Sequence, residues 1–252
     1  AGDVQLAFSD IVPAIPLESL SSARQDLGVR FGQSPSTTIH MLVFPTFDAK
    51  YSKIELRRAI SMAIDRDEIS RTIFRDSVRP GRSFVGPGVP GARDDACGEA
   101  CQFDPAKAMA LFEAVGGAAS VRGLLELAYN VDGGHKTWID AACNQITRNL
   151  GVACVGNPTP KFSELGTKLR RKEPIGVFRA GYIGTVPVME YYLGNLFTTK
   201  GLANNAGYSN PSFDELVAAG DRAATQADAI RLYQEAEDIL VRDLPVVPVR
   251  SG

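Results

Sequence analysis

Two histidines, His40 and His135, and four cysteines, Cys97, Cys101, Cys143 and Cys154, are the residues of this 252-residue chain best suited to chemistry. A hydrolytic triad needs a nucleophile, a base and an orienter. No Gly-x-Ser-x-Gly elbow occurs, and His135 sits in Asp132-Gly-Gly-His135, a turn leading into a helix. His135 as the base of a secreted α/β hydrolase is therefore an alternative reading; a packed histidine is the simpler one. His40 lies inside the apolar run Thr37–Phe44 and reads as a satisfied core histidine. No phosphate-binding loop and no Gly-x-Gly-x-x-Gly after a strand is present, so nucleotide binding has no support. The pair Asp94-Asp95 lies in a polar loop and reads as solvated. Two histidines are few for a metal site or a proton relay, so no cofactor and no metal are expected.

Four thiolates could close a zinc site, but these spacings do not pair as Cys-x-x-Cys. Four reduced, buried cysteines are another reading. Two local disulfides, 97–101 and 143–154, fit better: Cys143 lies on an expected helix and Cys154 on the strand after it, which can bring two Cβ atoms into bonding range. Loop-closure entropy assigns about 2 kcal/mol to the shorter loop and about 3 kcal/mol to the longer. Such bridges imply an oxidising compartment, secreted or cell-surface.

The segment Gly181–Tyr192 carries a different kind of chemistry. It leaves the carboxyl end of a strand, is dense in aromatic and small residues, and enters a helix. Open α/β sheets bind ligands at that end of their strands. Tyr182, Ile183, Gly184, Thr185, Val186 and Pro187 are the candidate ligand-lining residues, with Asn130, the Asp132–Gly134 turn, Asn204 and Asn205 as further candidates. A plain βα loop is the alternative.

The elements that must position these residues follow from periodicity. Strand, helix, strand, helix, strand run in order from 123 to 183: Gly123–Asn130, His135–Leu150, Val152–Val155, Phe162–Lys172 and Ile175–Ile183. That is the pattern of parallel βαβ units with helices on the sheet faces. Short-range signals predict a strand at Gly2–Phe8 and a helix over 17–27. Helix 55–64 follows, and then a helix capped by Asp65 with Glu68. Arg57, Arg58, Arg66 and Arg71 are interleaved with acids and read as a solvated helix face. Residues 79–103 form a long loop clamped by Cys97–Cys101. Asp104-Pro105 opens a helix that ends at Gly116-Gly117. Two more helices, from Asn210-Pro211 and over Gln226–Asp243, precede a final strand at 245–250.

Composition bounds the function. With 44% hydrophobic and 22% charged residues and a net charge of −2, the chain is ordinary globular material, without the basic excess of a nucleic-acid binder. No run of 18 apolar residues occurs. The chain starts at Ala1 and stops two residues after a strand, so it reads as a processed or cloned piece, cut where the chain crosses elsewhere.

Four segments together resemble the peptide/nickel family of ABC-transporter solute-binding proteins. They are Leu56–Ile69, Asp104–Phe112, Gly207–Leu216, and Leu232–Leu240 through Pro245–Pro248, in family order. The cysteine placements look like actinobacterial oligopeptide-binding lipoproteins of that family. The resemblance implies an α/β lobe with a mixed sheet and helices on its faces, one half of a two-lobed periplasmic-binding-protein-like fold. Residues 1–252 would be the second, inserted lobe, with the first lobe absent and hinges near Ala7–Asp10 and Val247–Arg250. It implies no enzyme but extracellular substrate capture, with a peptide or related small-molecule ligand, an ABC permease as partner, a lipid anchor on the full-length protein, and a monomer. A ligand-sensing lobe of a regulator is a further alternative.

In oligopeptide binders of the family, an aspartate in the strand-to-helix segment typically pairs with the ligand's α-ammonium. In this chain that position is Thr185, which cannot neutralise an ammonium, and an unpaired buried charge costs roughly 3–5 kcal/mol. The resemblance therefore implies a neutral or differently presented ligand, unless Glu190, which matches a frequent family glutamate, substitutes.

Overall fold

The run Thr37–Phe44 is β-branched and apolar, and in a computed structural model of the chain it forms β1 (Ile39–Val43) at the centre of a sheet. The chain divides into two units, Ala1–Pro35 and Ser36–Gly252. The structure describes residues 36–252 and a few positions between 19 and 28. The strand expected at Gly2–Phe8 and the hinge expected at Ala7–Asp10 lie outside the described residues, as does nearly all of the helix expected over 17–27.

The sheet has six strands: β2 (Arg79–Pro80), β6 (Val246–Ser251), β1, β5 (Val177–Tyr182), β3 (Leu124–Asn130) and β4 (Ala153–Thr159), in that spatial order. β3 runs parallel to β4 and β5, while β1 is antiparallel to β5 and β6, so the expected mixed sheet is present. Helices α5 (Lys136–Leu150) and α6 (Phe162–Arg170) make the two crossovers. The chain moves outward from β3 to β4 and back to β5, so right-handed connections place these helices on opposite faces. β4 continues to Thr159, beyond the expected end at Val155. Its Pro158 is tolerated because β4 is an edge strand, where a missing N–H breaks no ladder. Pro248 lies inside β6, and there the register against β1 shifts between His40 and Met41. A bulge is where an interior strand can hold a proline.

Local capping signals hold. Asp65 accepts a hydrogen bond from the Glu68 N–H at the start of α2 (Arg66–Ile73). Asp104 does the same for Lys107 at the start of α3 (Pro105–Ala114). Helix α1 (Ile54–Met62) buries Leu56, Ala59 and Ile60. Gly116, at φ 105°, ends α3, but the chain then makes a short helix, α4 (Gly117–Ser120), that the sequence did not announce. The remaining α-helices among the described residues 36–252 are α7 (Met189–Phe197), α8 (Pro211–Asp221) and α9 (Gln226–Asp243).

The expected solvated arginine face is corrected for two of its members. Arg57 and Arg66 are buried. Arg57 donates to the carbonyls of Tyr51, Ser52, Asp243 and Leu244, and Arg66 to those of Ser61, Ile64, Cys101 and Pro248. Helix ends and loops leave carbonyls without partners, and a guanidinium offers five donors to gather them. Arg71 is exposed, as expected.

Both local disulfides are formed, Cys97–Cys101 and Cys143–Cys154. The first clamps the 79–103 segment, which also supplies β2 and a 3₁₀ turn at Gly98–Cys101. That segment is tied to α9 as well, where Arg93 pairs with the fully buried Glu237 at 3.0 Å.

Candidate functional site

The β5–α7 turn crosses one end of the sheet, where β5 and β3 finish and β1 begins. Ile39, the first residue of β1, stands opposite Tyr182, the last of β5. Beyond Tyr182 the chain exposes Ile183, Thr185, Val186, Pro187 and Val188. Gly184 is buried beneath them, and the packing excludes any side chain there: a Cβ would lie 1.7 Å from the Tyr192 hydroxyl. That hydroxyl donates to the Thr37 carbonyl at 2.5 Å, and the Thr37 hydroxyl donates to the Gly184 carbonyl at 2.8 Å. Gly86 makes room for the same latch, since a Cβ on it would meet Thr37 O at 2.2 Å and the phenol at 2.4 Å. Three segments distant in sequence thus fix one turn.

Under the turn Tyr182, Tyr191 and Tyr192 pack with ring centroids 5.2–6.2 Å apart. Tyr182 donates to the Tyr191 carbonyl, and Thr185 donates to the Tyr191 phenol oxygen at 2.8 Å. Burial pushes the Tyr182 and Tyr192 phenols up, so both stay neutral. This side of the sheet end therefore offers neutral hydroxyls, aromatic rings and an apolar rim.

The other face of the same end is cationic. His40 stands opposite Gly181 on one side and Arg250 on the other, and Arg179 lies two residues before Gly181 on β5. Alternation along strands puts all of them on one face. The His135 ring, at the N-terminus of α5, comes to 6.5 Å from that of His40. Arg179 donates to Asn130 Oδ1 at 2.8 Å and stacks over Phe162. Asn130 in turn donates to Asp132, which also receives the Phe162 N–H; these bonds hold the Asp132 carboxyl below its usual range. Burial, with Arg179 and Arg250 adding to it, lowers His40 to about 2 and His135 to about 4. Burial also lowers Arg179 to about 10. His135 is packed: its Nδ1 accepts the Trp138 indole N–H at 3.2 Å. The expectation of a satisfied His40 is corrected, because its buried Nδ1 has no hydrogen-bond partner. In a strand, the side chain has to take whatever lies across the ladder, and here that is a glycine and an arginine.

The remaining candidates fall in different places. Asn130 joins the cationic face. Asn204 and Asn205 do not join this end. The Ala206 carbonyl receives the Thr46 N–H beyond the far end of β1, and Asn204 there clamps a turn through Thr198 O and Tyr208. Glu190 lies half-buried along α7, its Oε1 over Gly194, and enters no ion pair among the described residues. Burial and then Asp221 push its carboxyl up. A cavity of about 280 Å³ lies beside β2, lined by Arg79, Arg82 and Arg93 among others. Arg82 is paired to Asp67, and Arg93 to Glu237 and Asp238, so this cavity is not a free cationic site. Among the described residues no group of three potential metal ligands occurs, and no helix is long and apolar enough to cross a membrane. The sequence reading did not single out Arg179, Thr37, Tyr191 or Tyr192. The one charge in the apolar run Ile175–Ile183 was a signal for Arg179, and the aromatic pair for the tyrosines.

The sequence pattern of the bacterial extracellular solute-binding proteins, family 5 (middle), matches residues 8–204. The chain belongs to that family. Its relatives include the dipeptide-binding protein DppE of Bacillus subtilis, 25% identical over 77% of this chain and 36% of that protein. The periplasmic oligopeptide-binding protein OppA of Salmonella typhimurium is 24% identical over 99% of this chain and 45% of its own length. Among solved structures, the Escherichia coli murein tripeptide binding protein MppA superposes with a TM-score of 0.81 at 22% identity, over 94% of this chain and 46% of MppA. The family 5 fold seen here thus spans less than half the length of each of these relatives.

Proposed function

We propose that this chain is one lobe of a two-lobed family 5 solute-binding protein that captures its ligand outside the cytoplasm and delivers it to an ABC permease. The observation that carries this reading is the β5–α7 turn, a rigidly latched, apolar and aromatic surface at the ligand-binding end of an α/β sheet. The other lobe closes over it, so that binding energy comes from both sides. Two disulfides agree with an oxidising compartment. A lipid anchor and a monomeric state complete the proposal.

The ligand class is peptide or peptide-like, in keeping with the dipeptide, oligopeptide and glutathione binders among the relatives. Its group at the β5–α7 turn is neutral, because Thr185, Tyr182 and Tyr191 offer hydroxyls and no carboxylate. A free ammonium there would lack a counter-charge. The test is native mass spectrometry of the full-length protein, purified without refolding. A set of peptide masses carried through purification supports the reading. One non-peptide mass keeps the capture function and changes the ligand class. A protein that carries nothing and binds no peptide in calorimetry overturns it.

A further inference from the structure

Among the described residues Glu237 is the only buried acid, and nothing in the capture of a solute calls for it. It lies on α9, and a carboxylate shut off from water is tolerated only where donors surround it. Two of its donors come from one stretch of chain, residues 83–93. Arg93 gives its Nε–H to Oε2 at 3.0 Å, and Ser83 gives its hydroxyl to Oε1 at 3.4 Å. Ser83 is tied forward as well, since its oxygen accepts the Val85 N–H at 3.2 Å. Gln234, on the same helix, donates to the Gly91 carbonyl at 2.8 Å, and Arg93 donates back to the Gln234 carbonyl at 3.2 Å. Residues 83–93 form no strand or helix, so these bonds rather than a backbone ladder set their course.

The other side of the same stretch meets α7 and the β5–α7 turn. Phe84 packs edge-on against Phe197 of α7, ring centroids 6.2 Å apart. Gly91, at φ 88°, lies so close to Ile230 of α9 and Met189 of α7 that a Cβ on it would fall within 3 Å of both. Gly86 sits against the Thr37 carbonyl and the Tyr192 phenol, the two groups whose hydrogen bond latches the turn over Gly184. The stretch is a strap, with α9 on one side and the latch on the other. Close-packed contacts pass a displacement on rather than absorb it.

We propose that Glu237 is a positioning residue for the β5–α7 turn: by holding Ser83 and Arg93 it keeps Gly86 seated against the Thr37–Tyr192 latch, and the turn keeps its shape while that strap is fastened. Glu237 touches no solute and acts only through the strap. What the turn is for rests on the solute-capture reading; how well it is ordered does not, and is measured with no solute added.

Hydrogen–deuterium exchange of the full-length protein tests this. Glu237→Gln keeps the shape and removes the charge, so one of the donors around it loses its acceptor. Arg93→Gln removes the tether from the strap side, at a partly exposed residue, and serves alone should Glu237→Gln fail to fold. The expected result is about tenfold faster exchange of the amides of residues 183–191, with β4 and α6 at the far edge of the sheet unchanged. Tyr192→Phe opens the latch directly and should speed the same amides, and adding Arg93→Gln to it should speed them no further. A purely structural Glu237 would not show that dependence on Tyr192. Turn amides that exchange at the native rate in the strap variants overturn the proposal. So does a rise spread evenly over the sheet, and so does a full further rise when Arg93→Gln is added to Tyr192→Phe. A protein that carries no solute in native mass spectrometry yet shows the expected pattern keeps the strap and loses the capture reading; one that carries a solute without the pattern keeps capture and loses this inference.

Discussion

The Thr185 hydroxyl donates its hydrogen bond to the Tyr191 phenol oxygen at 2.8 Å, so this exposed polar group of the β5–α7 turn is already committed to a neutral partner. Replacing it with a charge alters what the turn can accept. Thr185→Asp puts a carboxylate beside Tyr191. Ligands bearing a free ammonium should gain about 1.5–3 kcal/mol, roughly tenfold or more in affinity. Calorimetry with a tripeptide and its N-acetyl form, on the full-length protein, checks this. Equal affinities for the two forms in Thr185→Asp would show that the turn does not touch that end of the ligand.

The Thr37–Tyr192–Gly184 latch predicts a coupled pair of effects. Gly184→Ala forces a methyl into the Tyr192 hydroxyl and should cost about 1–3 kcal/mol. Tyr192→Phe leaves the Thr37 carbonyl without its donor and should also cost about 1–3 kcal/mol. Together they should cost less than their sum, because the phenylalanine removes the atom the new methyl strikes. Urea midpoints of the four proteins read the coupling, and strict additivity would show that the two residues act independently.

Acid should destabilise the fold through its histidines. His40 and His135 ionise at about 2 and about 4 when folded, against 6.5 for a free ring. The unfolded chain therefore binds protons that the folded chain refuses, and stability falls as pH drops from about 6.5 to about 4. Glu237 opposes this. Burial raises its carboxyl from 4.5 to about 7 despite Arg93, so its contribution is complete below about 4.5 and gone above about 7. His135→Gln should flatten the pH dependence of the urea midpoint and Glu237→Gln should steepen it, each by up to about 1.4 kcal/mol per pH unit. Identical slopes in all three proteins would refute both assignments.

Removing the bridges should cost stability in proportion to the loops they close. Serine at both Cys97 and Cys101 should lose about 2 kcal/mol, and at both Cys143 and Cys154 about 3 kcal/mol. Thermal melts of the double variants, beside the reduced native protein, check the order. A larger loss from the 97–101 pair would show that the clamp acts mainly by holding the Cys101 carbonyl on Arg66.

What the sequence disclosed was local. The caps at Asp65 and Asp104 and the βαβ run each depend on residues a few positions apart, and each is present. Both short-loop disulfides belong with them. What it hid was non-local. Arg57 and Arg66 looked like surface charges because their acidic neighbours in sequence are not their partners in space; carbonyls up to 187 residues away are. The latch at Gly184 joins Thr37 and Tyr192, 155 residues apart, and no spacing rule links them. Asn204 was counted among the ligand candidates, yet α7 carries the chain from one end of the sheet to the other before it.

Trp138 is the one tryptophan of the chain, and its indole N–H rests on His135 Nδ1 at the edge of the cationic face. That places a native fluorophore within one hydrogen bond of a titrating ring. A neutral imidazole accepts from the indole; a protonated one cannot, and it is a strong quencher of indole emission. Steady-state fluorescence of this chain is therefore an optical meter of the charge at that end of its sheet, with no label to attach.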